Sequence, residues 1–379
     1  MAMYKILLGG SPCTRWSIAQ TQNRETQAEG IGWELFKNYA IAKERFQPDF
    51  FLYENNKSAA PAIKNQICQE LGHGLTLINS ARVSAQTRWR FYVTPLGEHI
   101  PQPEDRGILL RDVLQSGRRQ MVAEPIGITE QGKAYALKAQ YYKSAPANYF
   151  NGGGHYPASG VAQPVQLSFD DLGPIRIGTI ESGAKNTDFD SQQYRVYSAD
   201  GKGVTLCGNG GGQGAKTGLY AVPYTGGKQY PIYEVQNGLI TIKDKQYPIK
   251  LADGFYIIRK LTVTECERLQ TLPDGYTSSA GVSATQCYKG LGNGWTAEVI
   301  IHILRHGLRN VPRDTAILAL SMYDGIGTGR YCLDKLGFTN VIYKAYEIDK
   351  YAMQIANHNY PDIQQSGDAF TLRTENWRF

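Results

Sequence analysis

The sequence predicts an α/β protein whose main sheet is assembled from both ends of the chain, with a smaller, mainly β or irregular domain inserted between them. An apolar run of strand length, residues 316–323, leads into a glycine-rich turn, and a second strand over residues 341–346 ends in Glu347. Two strands cannot form a doubly wound sheet alone, because both faces and an edge would stay bare. The missing strands are expected near the N-terminus, where residues 4–8 and 50–53 are short and apolar.

Composition limits the class of protein before any motif is considered. The chain has 379 residues, 42% of them hydrophobic and 20% charged, which is typical of a folded soluble protein of two or three domains. No apolar run approaches the roughly 20 residues of a membrane span, and the first residues do not resemble a signal peptide. Six scattered cysteines without zinc spacing favour free thiols in a reducing, cytoplasmic setting. The net charge of +6 permits a polyanionic partner but does not demonstrate one.

The middle of the chain differs in amino-acid composition from its two ends. Residues 94–258 are rich in Gly, Tyr, Gln and Pro and contain short β-like stretches such as 194–197 and 239–242. A capping box formed by Thr262 and Glu265 then predicts a helix over residues 263–269. We therefore expect three segments, with the following borders: 1–93 and 286–379 for the two parts of the main domain, and 94–285 for the inserted domain with its hinge helix.

Two glycine-rich stretches are candidates for ligand binding. In the first, residues 324–329, the last glycine precedes Glu347 by 18 residues, close to the roughly 20 expected for an acid that receives ribose hydroxyls in a βαβ unit. The second, residues 207–214, is not a P-loop, because Ala215 separates its last glycine from Lys216. Each stretch is either a loop close to a ligand or a structural turn.

Four residues near the N-terminus could carry chemistry. Cys13 follows a strand and a proline, a position where a thiol is either a nucleophile or a small buried residue. Glu54 also lies at a strand end, where a carboxyl group either meets a ligand or is a solvated cap. Arg88 and Arg90 are two residues apart, so in a strand their side chains point to the same face. There they either bind a phosphate or carboxylate or form a solvated basic edge.

Taken together, these motifs resemble the DNA (cytosine-5) methyltransferase family. The resemblance rests on Gly-Ser-Pro-Cys at 10–13, Glu-Asn at 54–55, Gln-x-Arg-x-Arg at 86–90, Arg-Lys-Leu-Thr-x-x-Glu-Cys-x-Arg-Leu-Gln at 259–270 and Gly-Asn at 292–293. In that family an Asp-x-Phe-x-Gly-x-Gly motif usually comes first. Here the matching stretch, residues 323–329, comes last, so the resemblance implies a circularly permuted member with a Rossmann-like S-adenosylmethionine-dependent sheet.

The resemblance implies roles for the catalytic candidates. Cys13 would attack carbon 6 of a flipped-out cytosine in duplex DNA, and Glu54 would bind ring nitrogen 3 and the exocyclic nitrogen. Arg90 would bind the carbonyl oxygen of the base, and Arg88 a backbone phosphate or Glu54. Residues 14–32 match a mobile loop that closes on the base. The implied DNA-binding residues are Arg15, Ser17, Gln86, Gly211, Gly212 and Lys216.

The resemblance also implies a cofactor site and a cellular role. S-adenosylmethionine would be held by Pro12, Asn293, Tyr323, Asp324, Gly325, Gly327, Gly329, Glu347, Ile348, Asp368 and Ala369, without a metal. A monomer in the cytoplasm is expected, within a bacterial or phage restriction-modification system, with or without a cognate endonuclease, or as an orphan methylating enzyme. Residues 94–258 match the family's target-recognition domain in position, but the target sequence cannot be read from them.

Three residues depart from the family pattern, so the resemblance does not determine the shape of the pocket. Thr14 follows the cysteine where Gln is frequent, Asn56 stands where Val is usual, and Trp295 replaces a smaller residue after Gly-Asn. Three other functions compete with the main interpretation. They are an RNA or tRNA cytosine-5 methyltransferase, a nicotinamide oxidoreductase built on the glycine-rich turn, and a DNA-binding module without catalysis.

Overall fold

The computed structural model describes residues 3–17, 23–115, 173–180, 192–208, 214–223 and 231–374. In chain order, its strands are β1 Tyr4–Gly9, β2 Phe50–Asn56, β3 Leu75–Asn79, β4 Trp89–Val93, β5 Arg176–Thr179, β6 Arg195–Ser198, β7 Leu219–Pro223, β8 Ile232–Gln236, β9 Leu239–Ile242, β10 Lys245–Pro248, β11 Gly254–Arg259, β12 Ile317–Met322, β13 Val341–Tyr346 and β14 Gln364–Gln365. Its α-helices are α1 Gly30–Phe46, α2 Pro61–Leu71, α3 Leu110–Val113, α4 Val263–Leu269, α5 Ala284–Asn293, α6 Ala297–Gly307, α7 Thr328–Lys335 and α8 Lys350–Asn359.

Strands from both chain ends form one seven-stranded sheet in the order β14-β13-β12-β1-β2-β4-β3. β1 lies parallel to β12, with Tyr4 opposite Ile317 and Gly9 opposite Met322. β4 runs antiparallel to β2 and β3, whereas the strands from β14 through to β2 are parallel. Counted outward from β12, this is the strand order of a doubly wound nucleotide-binding sheet with a reversed strand near one edge. The predicted assembly of one α/β sheet from both chain ends is confirmed.

The main sheet is buried on both faces, which explains why its strands are nearly continuous apolar runs. Side chains of β1 alternate between two cores, with Ile6 and Leu8 on one side and Leu7 on the other. Helices α6 and α7 cover the first side, and α1 and α2 cover the second. The apolar residues Trp33 and Phe36 recur along α1 at helical spacing and give that helix its buried stripe.

The inserted region contributes a second seven-stranded sheet, in the order β10-β9-β8-β11-β7-β6-β5. Its two edges meet, because Gly178 of β5 forms an antiparallel bridge with Ile249 just beyond β10. Side chains such as Val196, Val235 and Ile240 are buried together inside. The described strands therefore close into a small β-barrel, which is the mainly β inserted domain that the sequence predicts.

The hydrophobic core does not divide at the predicted domain borders. Leu110 and Val113 of α3, together with Leu261 and Leu269 around α4, pack in the same cluster as the helices of the main sheet. The capping box that predicts α4 is present, since Thr262 Oγ1 accepts a hydrogen bond from Glu265 N at 3.2 Å. The borders at 93/94 and 285/286 remain predictions.

The helices of the described segments are short. The longest, α1, has 17 residues, and none is long and apolar enough to cross a membrane. The helix α7 follows the glycine-rich turn directly and begins at Thr328, because Gly327 with φ of +80° ends the turn.

Candidate active site

A cavity of about 1140 Å³ opens beyond the carboxyl ends of β1, β2, β12 and β13. The helices α1 and α7, which follow the neighbouring strands β1 and β12, pack on opposite faces of the sheet. This is the topological switch point, the place where open α/β sheets bind their ligands. Cys13, Glu54 and Arg90 from one chain end line the cavity together with Asp324 and Glu347 from the other.

Cys13 opens a 3-10 turn, Cys13–Arg15, beyond the end of β1. Pro12 caps the turn with φ of −50°, a conformation that its ring favours. Desolvation raises the pKa of the Cys13 thiol, and the charge of Arg90 opposes that increase. The thiol is therefore mainly protonated at neutral pH, and it becomes a nucleophile only when it loses its proton.

A buried hydrogen-bond cluster joins the turn before Cys13 to β2. Asn55 Nδ2 donates to the backbone oxygen of Ser11 at 2.9 Å and to the Tyr53 hydroxyl at 3.1 Å. Gly10 allows the turn to approach β2 closely, because a Cβ at that position would lie 2.5 Å from the carbonyl oxygen of Glu54. These contacts hold the cysteine turn and the glutamate in a fixed relation.

The Glu54 carboxylate has a donor at each of its oxygens. Arg90 Nε lies 2.9 Å from Oε1, and the indole Nε1 of Trp295 donates to Oε2 at 3.0 Å. The Glu54 and Arg90 side chains are only 13% and 12% exposed, and both line the cavity. A carboxylate that accepts two hydrogen bonds still has free lone pairs, so Glu54 can accept further donors from a ligand.

Arg88 does not contact Glu54, which is one of its two predicted partners. Its guanidinium donates to the backbone oxygens of Leu206 at 3.1 Å, Gly292 at 3.1 Å and Gly294 at 2.8 Å. Burial lowers its pKa to about 10, so the group remains charged at neutral pH. A buried guanidinium needs acceptors for its N–H groups, and distant backbone segments supply them here in place of Glu54. Arg88 joins the barrel segment to the end of α5.

The prediction that Gln86 contacts DNA is wrong, because Gln86 is fully buried in the folded protein. Its Nε2 donates to the backbone oxygen of Leu269 at 3.0 Å and to Gln270 Oε1 at 2.9 Å. Its Oε1 accepts a hydrogen bond from Leu206 N at 3.3 Å. A buried amide must satisfy both its donors and its acceptor, so these partners explain why a polar residue occupies this position.

The glycine-rich turn after β12 has the conformation of a ligand-binding turn. Tyr323, Gly325 and Gly327 have φ values of 59°, 65° and 80°, in the left-handed region that favours glycine. The Tyr323 hydroxyl donates to the backbone oxygen of Leu35 at 2.8 Å and accepts from Asn38 Nδ2 at 3.1 Å, which supports this unusual backbone. No described atom lies within 4 Å of a Cβ placed on Gly325, so the turn faces open space.

Glu347 ties the end of β13 to this turn. Its Oε2 accepts a hydrogen bond from Gly325 N at 2.8 Å, and its Oε1 accepts from Ile348 N and Asp349 N, both at 2.8 Å. The carboxylate keeps acceptor capacity for hydroxyl groups. It therefore holds the turn in place and can still bind a ligand.

Two cavity-lining residues near the turn have buried polar atoms for which the described residues supply no partner. These atoms are Asp324 Oδ2 and Thr328 Oγ1. The other oxygen of Asp324 accepts a hydrogen bond from Tyr343 at 2.7 Å, and desolvation raises the pKa of Asp324 to about 6. Unpaired buried acceptors are costly, so this part of the cavity suits a ligand that supplies hydrogen-bond donors.

The other predicted cofactor residues fall into two groups. Ile348, which is 73% exposed, offers an apolar surface beside the cavity. Gly327 and Gly329 do not appear among the described residues that line the cavity, and a Cβ on Gly329 would collide with the Tyr343 hydroxyl. They shape the turn and allow α7 to pack closely on the sheet, as the last glycine of such motifs does. Besides the residues already described, the predicted cofactor residues that line the cavity are Pro12, Asn293, Asp368 and Ala369. Ile348 lines it as well.

The residues predicted to bind DNA are only partly brought to this site. Ser17 lines the cavity, whereas Arg15 and Lys216 lie outside its described lining. Gly211 and Gly212 lie outside the described residues. The barrel reaches the cavity through residues 205–208.

The described ends of the predicted mobile loop are closely packed. Trp16 is fully buried, and its Nε1 donates to Glu25 Oε2 at 3.1 Å. The same carboxylate accepts from Gly32 N, near the start of α1, at 3.1 Å. These contacts close the base of the loop that follows Cys13.

Several residues that line the cavity were not predicted from the sequence. Lys289, which pairs with Asp349 at 2.6 Å, gave no signal, since it belongs to no motif. Lys57 lies 4.2 Å from the centre of the Trp89 ring, and both line the cavity. Trp295 was visible as a departure from the family pattern, but its bond to Glu54 was not.

The fold and the cavity define an α/β protein with a doubly wound sheet and with a cysteine, a glutamate and an arginine beside the glycine-rich turn. Residues 1–92 match the family model described as C-5 cytosine-specific DNA methylase. The chain is 25% identical over 374 residues to the orphan methyltransferase M.SPRI of Bacillus phage SPR, with 80% of this chain and 82% of that protein covered. Residues 1–92 thus carry the likeness to the C-5 cytosine-specific DNA methylases that the motifs predict.

Solved structures give a weaker likeness. The methyltransferase EhMeth of Entamoeba histolytica is 12% identical, with a TM-score of 0.40, over 81% of this chain and 78% of its own. A mutant of DNMT2 from Spodoptera frugiperda is 13% identical, with a TM-score of 0.38, over 80% of this chain and 79% of its own. The fold class rests on the strand order rather than on these likenesses.

Proposed function

We propose that the protein is a DNA (cytosine-5-)-methyltransferase, which methylates carbon 5 of a cytosine flipped out of a specific duplex sequence. The observation that carries this proposal is the single cavity shared by Cys13, the Glu54–Arg90 pair and the turn bonded to Glu347. Flipping is required because a base inside a duplex cannot reach such a cavity.

The proposed chemistry assigns each reacting group a task. The Cys13 thiolate forms a bond to carbon 6 of cytosine, and the electron pair of the carbon 5–carbon 6 double bond moves toward carbon 5 and ring nitrogen 3. Nitrogen 3 takes up a proton from solvent as this charge develops, and Glu54 accepts hydrogen bonds from that N–H and from the exocyclic amino group. Arg90 donates to the carbonyl oxygen, so that both side chains stabilise the charge. Carbon 5 takes up the methyl group as the bond between that methyl group and the sulfonium sulfur of the donor breaks. Carbon 5 then loses its proton to water, while the carbon 6–sulfur bond breaks and Cys13 leaves as a thiolate.

S-adenosylmethionine is the proposed cofactor, and when bound it supplies an electrophilic methyl group. Residues of the cofactor turn fit it, since Asp324 Oδ2 and Thr328 Oγ1 lack partners among the described residues and the space over Gly325 is open. Glu347 would accept its ribose hydroxyls, and Ile348 would pack against its adenine. Pro12, Asn293, Tyr323, Asp368 and Ala369 would complete the pocket.

Duplex DNA is the proposed substrate, and the barrel is the proposed target-recognition domain. The barrel reaches the cavity through residues 205–208, next to the expected position of the base. Arg15, Ser17 and Lys216 would contact the DNA backbone, because cationic and hydroxyl side chains bind phosphates. An inserted region of this size favours duplex DNA over tRNA.

We further propose that the chain is a circularly permuted family member. In support, β12 with the cofactor turn follows the barrel in sequence but lies beside β1 in the sheet. The family model matches residues 1–92 and not the cofactor turn.

The cellular context is proposed from the relative of Bacillus phage SPR and from composition. An orphan methyltransferase, or the methylating partner of a restriction endonuclease, fits a phage or bacterial setting. A reducing cytoplasm fits the six free cysteines of the described structure.

Methyl incorporation tests the proposed function. The protein is incubated with radiolabelled S-adenosylmethionine and either duplex DNA or tRNA, and the DNA product is sequenced after bisulfite treatment. The proposal requires incorporation into DNA at one sequence, with none in Cys13→Ala although that variant still binds the cofactor. Incorporation into tRNA alone would contradict it, and binding of NAD in place of S-adenosylmethionine would point to an oxidoreductase.

A further inference from the structure

The indole of Trp295 contacts the carboxylate on which the proposed chemistry depends. Its Nε1 donates to Glu54 Oε2 at 3.0 Å, while Arg90 Nε lies 2.9 Å from Oε1. Trp295 lines the cavity, and the rest of its half-buried side chain packs against the core of the main sheet. The two donors therefore hold the carboxylate from its two oxygens.

The backbone around Trp295 is fixed on both sides of the residue. The oxygen of Gly294 accepts a hydrogen bond from Arg88 at 2.8 Å. On the other side, Thr296 Oγ1 donates to Gln270 Oε1 at 2.9 Å, and Thr296 is almost fully buried. An indole on so constrained a backbone has a defined direction before any ligand binds.

We propose that Trp295 is a positioning residue that acts on the target base through Glu54. The terminal torsion of a glutamate side chain is soft, so a carboxylate held at one oxygen can rotate. A second donor at Oε2 fixes the plane of the carboxylate and directs its remaining lone pairs to the proton that nitrogen 3 takes up and to the exocyclic amino group of the base. Preorganised acceptors of this kind lower the barrier more than mobile ones. This inference rests on the proposed function.

The test removes the N–H donor and keeps an aromatic ring. Trp295→Phe is expected to lower kcat for methyl transfer about 10- to 100-fold, the range for one hydrogen bond to a charged group. Its Kd for S-adenosylmethionine should stay within about twofold of the wild-type value. Trp295→His keeps a ring N–H and should turn over faster than Trp295→Phe. The matched control, Trp33→Phe, removes an indole from the buried stripe of α1 and should leave kcat unchanged.

A double-mutant cycle separates positioning from packing. If Trp295 acts through Glu54, Trp295→Phe should cause no further loss of rate in a Glu54→Gln background, whereas a packing role would give additive losses. Additive losses, or an unchanged kcat in Trp295→Phe, would overturn the inference while the proposed function stands. A wild-type protein that methylates no DNA would overturn the proposed function and, with it, this inference.

Discussion

Replacing Asp324 by asparagine should remove one contribution by which the stability of the protein falls as the pH rises. Burial raises the pKa of Asp324 to about 6 in the folded protein, against an ordinary value of 3.8. The folded state therefore holds this proton more tightly than the unfolded chain, and stability falls as the pH rises from about 4 to about 6. A difference of roughly two pKa units corresponds to about 3 kcal/mol. Asparagine has nearly the same shape and no proton to lose.

The free energy of unfolding of Asp324→Asn, relative to wild type, should thus rise by up to about 3 kcal/mol between pH 4 and pH 7. Denaturant unfolding of both proteins at several pH values within this range measures the difference. Asp314→Asn, which removes an exposed carboxylate from the connector before β12, is the control and should show no such trend. If the difference between Asp324→Asn and wild type does not change with pH, Asp324 does not carry a desolvated proton and the reasoning is refuted.

Three further predictions concern cofactor, core and topology. Glu347→Ala should weaken binding of S-adenosylmethionine tenfold or more in calorimetry, because it removes charge-assisted bonds to the ribose, whereas Glu54→Gln should lower turnover and keep cofactor affinity; the reverse pattern would exchange their roles. Gln86→Ala should lower the free energy of unfolding by about 1–3 kcal/mol and leave the DNA affinity of the folded protein unchanged, and a loss of DNA affinity alone would restore Gln86 to the DNA interface. A protein with its ends joined by a Gly/Ser linker and reopened near Pro312 should fold and methylate the same sequence, since chain ends that share a sheet tolerate rejoining; an insoluble product would count against the shared sheet.

The main sheet could be predicted because its signals are local. Residues 341–346 are an apolar run bounded by turn residues, and the structure has a strand with the same bounds. Two C-terminal strands cannot form a stable α/β sheet alone, because both faces must be covered and the edges completed. The sheet therefore had to include the N-terminal strands. The barrel was harder to predict from the sequence, because strands as short as Leu239–Ile242 carry little pattern. Closure of the barrel also depends on residues far apart in the chain, such as Gly178 and Ile249.

The candidate site shows the same limit at the level of side chains. The spacing of Arg88 and Arg90 indicates a strand, and β4 begins between them at Trp89. The spacing does not show which partners each guanidinium contacts. Arg90 reaches Glu54, whereas Arg88 meets the carbonyl of Leu206, which lies more than a hundred residues away in the chain. Buried polar groups take whatever partners the tertiary packing brings, so no local pattern could reveal this difference. Trp295 was noticeable as an unusual residue, and its partner became visible only in the fold.

Covalent trapping of Cys13 tests the central claim most directly. Fluorine at carbon 5 blocks the final elimination, so duplex DNA with 5-fluorocytosine at the target should form an adduct with the wild-type protein that survives denaturation. Peptide mapping should place the DNA on Cys13, and Cys13→Ala should form no adduct while it still binds S-adenosylmethionine. Cys207 also lines the cavity and provides the internal control. An adduct that persists in Cys13→Ala, with Cys207 now modified, would contradict the account.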